Sequence, residues 1–271
     1  MDNRPIGVFD SGLGGLTAVK QITSLLPGES VIYFGDTGRV PYGTRSRQTI
    51  LQYTREAIAF LKSQGVKRIL VACGTASTVL EEAAVDAGLP VTGVITAACR
   101  KAVMATKNQK IGLIATSRSI RSGLYEKNIA ALLPGTQVES MACPLLVPVI
   151  ENGRIGIDDP VTKILVSEYL APIKSQGVDT LILGCTHYPI IRDIIQAEMG
   201  PDVTLVDAGA AAASELREAL RESGTLSPSP RGELKFFVSD IPEGFASVGS
   251  VFLGRSIGER VEKVSIQHYI K

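Results

Sequence analysis

A chain of 271 residues has room for two domains of ordinary size, each with its own core. With 45% hydrophobic and 20% charged residues and a net charge of +1, it reads as a soluble globular protein. That balance lacks the basic footprint of a nucleic-acid binder or of a partner for anionic membranes. No apolar signal segment opens the chain and no apolar run nears the roughly 20 residues of a membrane helix, so a cytoplasmic location is expected.

Apolar runs bounded by Gly or Pro alternate with helical patterns along most of the chain. Strands are predicted at 6–9, 31–35, 68–72, 92–95, 110–114, 137–140, 180–183 and 204–206. Their continuous Val/Ile/Leu character suits parallel strands covered on both faces. Helices are predicted between them, among them 46–63, 160–175 and an Ala-rich one near 208–223. Alternation of this kind predicts a doubly wound α/β fold. The tail differs: residues 224–232 read as a Ser/Pro/Gly loop, followed by two short strands at 233–239 and 250–253.

Part of the chain is written twice. Ser63-Gln64-Gly65-Val66, running into an apolar strand and Cys73, is echoed 112 residues later by Ser175-Gln176-Gly177-Val178 and Cys185. Ile6-Gly7-Val8 resembles Ile111-Gly112-Leu113, and Pro27-Gly28 resembles Pro134-Gly135. The matched order predicts an internal duplication giving two pseudo-symmetric α/β domains. The tail is expected to rejoin the first of them. That assigns residues 1–97 plus 208–271 to one domain and 98–207 to the other, with crossings near 96–98 and 207–209.

Each half ends one strand in a thiol, and ligands bind at the carboxyl edge of such sheets. Asp10-Ser11-Gly12-Leu13-Gly14-Gly15 follows the first strand, where glycines and a helix amino terminus are expected to cradle a carboxylate. The Pro41-Tyr42-Gly43 turn can present main-chain amides to a ligand. Asp10 is positioned to assist Cys73, and His187, two residues beyond Cys185, to assist that thiol. Cys99 and Cys143 read as inert buried residues.

Two facing thiols can form a disulfide, ligate a metal, or act as acid and base on opposite faces of one carbon. The chain has no CxxC pair and only two histidines, so no metal is expected. Symmetric placement of like groups is what a racemase needs, because the roles exchange when the reaction reverses. No cofactor motif competes, although the lysine of an aldehyde cofactor leaves no unique local signature.

Four motifs then carry a resemblance: Asp-Ser-Gly-Leu-Gly-Gly at 10–15, Pro-Tyr-Gly at 41–43, Cys-x-Thr-Ala at 73–76 and Gly-Cys-Thr-His-Tyr-Pro at 184–189. Together, spanning nearly the whole chain, they resemble the glutamate racemases of the aspartate/glutamate racemase family. The resemblance implies two α/β domains with the active site in the cleft between them. It also implies cofactor-independent interconversion of L- and D-glutamate, supply of D-glutamate for peptidoglycan, and a homodimer. It assigns Cys73 and Cys185 as proton carriers with Asp10 and His187 supporting them. Ser11, Pro41, Tyr42, Gly43, Gly74, Thr75, Thr116, Glu151 and Thr186 complete the expected substrate site with Asp10 and His187.

Two departures stand out. The family has Asn after the first cysteine where this chain has Gly74, and it has Pro where Thr96 follows Ile95. Losing the amide removes a donor and an acceptor, and a hydrogen bond to a charged group is worth about 1.5–3 kcal/mol. Two alternatives follow: an amino-acid-binding protein with little catalysis, in which Gly74→Asn restores rate, or a racemase for aspartate or another amino acid.

Overall fold

The computed structural model describes residues 1–241, 245–257, 261–267 and 269. Its strands are β1 (Ile6–Asp10), β2 (Val31–Gly35), β3 (Arg68–Val71), β4 (Val91–Gly93), β5 (Lys110–Ala115), β6 (Gln137–Ala142), β7 (Thr180–Leu183), β8 (Thr204–Asp207), β9 (Leu234–Val238) and β10 (Val261–Lys263). They form two parallel sheets, ordered β10-β9-β2-β1-β3-β4 and β6-β5-β7-β8. The order β2-β1-β3-β4 is repeated by β6-β5-β7-β8, so the duplicated text folds into duplicated topology.

The echoed glycines have one conformational job. Gly65 and Gly177 have φ of +72° and +68°, closing the helices Arg47–Ser63 and Pro160–Ser175 before the cysteine-bearing strands β3 and β7. A left-handed residue at that point favours glycine because it has no Cβ to strain. Both helices also start on a side-chain cap: Ser46 accepts from Thr49 N–H and Asp159 from Thr162 N–H.

Two of the predicted strands are corrected. Residues 94 and 95 open the helix Val94–Ala105 instead of extending β4. Residues 250–253 end the helix Phe245–Leu253, where the apolar run lies on a helix that packs against Leu16–Leu25. A short apolar run has no period to separate strand from helix, so packing decides.

The chain passes from the first sheet to the second through Val94–Ala105 and returns through Ala208–Glu222; these two helices pack on each other. Residues 96–98 therefore lie in the first turns of an unbroken helix. One apolar core joins both sheets across these helices, and a second lies on the other face of the first sheet around Phe9, Phe34 and Phe60. The returning segment is tied down by a buried ion pair: Lys67 Nζ lies 2.6 Å from Glu29 and donates to the carbonyls of Asp2 and Thr225. Glu29 in turn accepts from Ser227 N–H at 2.7 Å.

Candidate active site

Cys73 lies two residues beyond the end of β3 and caps the short helix Gly74–Ser77, its Sγ accepting from Ala76 N–H at 3.4 Å. The thiol donates to Ser11 Oγ at 3.3 Å. Burial, reinforced by the nearby Asp10 carboxyl, pushes this thiol up to about 12 against the opposing pull of those hydrogen bonds. It is held as a protonated thiol.

Cys185 occupies the matching place after β7, and its surroundings differ. Its Sγ lies 3.8 Å from His187 Nδ1, while His187 Nε2 lies 2.9 Å from Glu151 Oε1. Glu151 is brought there by the end of the helix Leu146–Glu151. Burial opposes a charge on the imidazole, but hydrogen bonds with Cys185 and Glu151 outweigh it and raise His187 to about 10. At neutral pH this favours the cationic imidazole, placed beside the Cys185 sulfur. Phe252 packs nearly perpendicular to the ring, with centroids 5.1 Å apart.

Asp10 is fully buried, with Oδ2 accepting from Gly12 N–H at 2.9 Å and Oδ1 without a partner. Burial raises it above the ordinary carboxylate range, with His187 opposing. Gly12 N–H is thus engaged by Asp10, while Ser11 and Gly12 themselves line the cavity that both thiols face. Gly14 serves a different end: a Cβ there would lie 2.2 Å from Thr186 Oγ1 and 2.6 Å from His187 Nδ1. Thr17 Oγ1 adds a bond of 3.0 Å to the Thr186 carbonyl, so the turn is a close joint between the two halves.

Both thiols face one cavity of about 410 Å³. Of the predicted residues, Ser11, Pro41, Tyr42 and Gly43 line it from the first two βα turns. Gly74, Thr75, Thr116, Glu151, Thr186 and His187 line it from the remaining turns, while Asp10 stands behind the lining. Thr75 and Thr116 hydroxyls join across the cleft at 2.9 Å.

Tyr42 contributes less than its type suggests. It is buried, and its hydroxyl donates to Asp36, which also pairs with Arg39 at 2.7 Å; Arg39 binds Glu56 in turn. The phenol is used to fix the turn. Sequence reading missed that network and the apolar wall of Val40, Pro144, Val147 and Pro148. Those residues carry no chemistry and meet only after folding, so no local signal marks them.

All four cysteines are free thiols, so no disulfide links Cys73 to Cys185. Among the described residues no group of three or more His, Cys, Asp or Glu side chains is arranged to hold a metal ion. No described helix is long and apolar enough to cross a membrane. A wider cleft of about 720 Å³ lies beside Arg47, Arg118 and Arg121 and contains neither Cys73 nor Cys185.

Residues 6–216 match the family model described as Asp/Glu/Hydantoin racemase. The chain belongs to this family. A glutamate racemase from Syntrophus aciditrophicus is 43% identical over 264 residues, with 97% of each chain covered. The crystal structure of a glutamate racemase from Francisella tularensis in complex with D-glutamate superposes with a TM-score of 0.89 at 40% identity, covering 98% of this chain and 99% of that one. A glutamate racemase isoform from Bacillus anthracis gives a TM-score of 0.92 at 38% identity, covering 98% of both chains. The family member described here thus shares a two-domain α/β fold with glutamate racemases over nearly its full length.

Proposed function

We propose that the chain interconverts L- and D-glutamate without a cofactor, using Cys73 and Cys185 as the two proton carriers. The observation that carries this reading is the pair of thiols from equivalent strand ends facing one cavity, Cys73 beside Ser11 and Cys185 beside His187. The names of the similar proteins support glutamate as substrate.

In one direction the Cys185 thiolate, stabilised by the His187 cation, removes the proton on the α-carbon. The Cys73 thiol delivers its own proton to the opposite face, and the configuration inverts. One S–H bond forms and one breaks, so the reaction balances without an oxidant. Afterwards Cys73 is the thiolate and Cys185 the thiol, ready for the reverse reaction. Asp10 stands behind the first thiol as His187 stands beside the second. The hydroxyls of Ser11, Thr75, Thr116 and Thr186, with the main-chain N–H groups of Tyr42 and Gly43, supply donors for the substrate carboxylates.

We also assign residues 1–97 with 208–271 to one domain and 98–207 to the other. A cytoplasmic homodimer supplying D-glutamate for peptidoglycan completes the reading. Incubation with L-glutamate in deuterium oxide tests the chemistry: circular dichroism decays to zero while the α-proton exchanges. Absence of both, or faster turnover of aspartate in the same assay, would overturn the assignment.

A further inference from the structure

The turn at 40–44 lines the cavity along its whole length and reaches the opposite half, since a Cβ on Gly43 would lie 3.3 Å from Thr116 Cβ. Of its five residues only Tyr42 is buried. What holds Tyr42 therefore holds the turn. The phenol donates to Asp36 Oδ2, and Asp36 pairs with Arg39 Nε at 2.7 Å. Arg39 Nη1 binds Glu56 on the helix Arg47–Ser63. The guanidinium also lies 3.9 Å over the Tyr53 ring, which packs on Tyr42 with centroids 5.5 Å apart. Asp36 and Glu56 are both buried, and Arg39 Nη2 is buried without a partner. Two carboxylates on one cation, with an orphaned donor, carry an uncompensated desolvation cost, and apolar side chains of like volume are often as stable. Stability alone explains the cluster poorly. Position explains it better, because the cluster ties an otherwise exposed turn to a long helix.

We propose that Arg39 is a positioning residue: by bridging Asp36 and Glu56 it fixes the carboxylate that holds the Tyr42 hydroxyl, and with it the turn whose N–H groups at Tyr42 and Gly43 meet a substrate carboxylate. This rests on the racemase reading. Arg39 itself is not among the residues lining the cavity, so it acts through the turn. A substrate carboxylate carries its charge before and during proton transfer. Loosening its seat therefore weakens binding of substrate and transition state together, and KM rises while kcat changes little.

The test measures racemisation kinetics, calorimetric binding of D-glutamate and thermal unfolding for Arg39→Met, Tyr42→Phe and the double variant. Each single change is expected to raise KM and Kd by about 10- to 150-fold, as when one hydrogen bond from the turn to a substrate carboxylate is lost. The fall in kcat is expected to stay below about threefold. The double variant should exceed the larger single effect by no more than about twofold, because both changes cut one tether. Arg39→Met leaves two buried carboxylates without their cation and lowers the unfolding midpoint. Tyr42→Phe keeps both ion pairs, so its KM decides where the first variant is unstable. KM within about twofold of the parent in Tyr42→Phe would overturn the proposal. So would a loss confined to kcat, or KM effects that multiply in the double variant. A parent that binds D-glutamate without racemising it is a different result: it overturns the activity assigned above, while the binding comparison still decides the role of Arg39.

Discussion

Gly74 and Gly184 meet so closely that a Cβ on residue 74 would lie 2.6 Å from the Gly184 carbonyl oxygen. Each glycine adjoins a cysteine, so this main-chain contact sets how near the two thiols can come. A side chain at 74 must push the two turns apart, because a main-chain carbonyl cannot rotate out of the way.

Gly74→Ala and Gly74→Asn are therefore expected to lower kcat by about 10- to 100-fold, the size of effect that a misplacement near 1 Å produces. This reverses the expectation that an amide at 74 restores rate. Steady-state kinetics of both variants with L- and D-glutamate decide it; a gain in kcat for Gly74→Asn would refute the contact argument.

Cys73→Ser and Cys185→Ser should each reduce racemisation by at least about 10²–10⁴-fold, the range of general acid–base contributions. Each variant keeps one thiol, so exchange of the α-proton for deuterium should survive from one enantiomer only. Proton NMR in deuterium oxide reads this directly, and loss of the opposite enantiomer's exchange in the two variants is the signature.

Glu151 and Cys185 hold His187 near 10, up from 6.5. A raised pKa means stability that is complete below about pH 6.5 and is lost as pH rises through about 10. Glu151→Gln removes one of the two supports. Its activity should fall off at lower pH than the parent's, and the difference in unfolding midpoint should be largest near neutrality and shrink towards pH 10. A pH profile unchanged by the substitution would refute the coupling.

Gly14→Ala places a methyl 2.2 Å from Thr186 Oγ1 and 2.6 Å from the His187 ring. Overpacking of a close joint costs about 1–3 kcal/mol, and here it also displaces the imidazole beside Cys185. Urea unfolding should show the loss of stability together with a fall in kcat; a variant that is stable and fully active would show that the joint yields easily.

Lys67→Met should destabilise the protein by about 3–5 kcal/mol, because it leaves the Glu29 carboxylate buried without its cation. The double variant with Glu29→Met should recover much of that loss. Denaturant titration of the three proteins forms the cycle, and equal effects of the single and double changes would refute a buried-charge origin.

What the sequence determined is what one-dimensional order can carry. Buried parallel strands are near-continuous apolar runs, helix ends carry caps and left-handed glycines, and a duplicated text yields a duplicated topology, so the α/β class and the two strand-end cysteines were legible at Ile6, Gly65, Cys73, Gly177 and Cys185. Where periodicity failed, at residues 94–95 and 250–253, short apolar runs carried no period and packing chose helix. Tertiary structure alone decided what lay across a gap. It joined the glycine turn to Thr186 and His187, set Tyr42 to brace its own turn through Asp36, and brought the Tyr125 hydroxyl near Gly74. Those relationships depend on distances between segments far apart in the chain, and burial, charge pairing and close main-chain approach come into being only when the two halves meet.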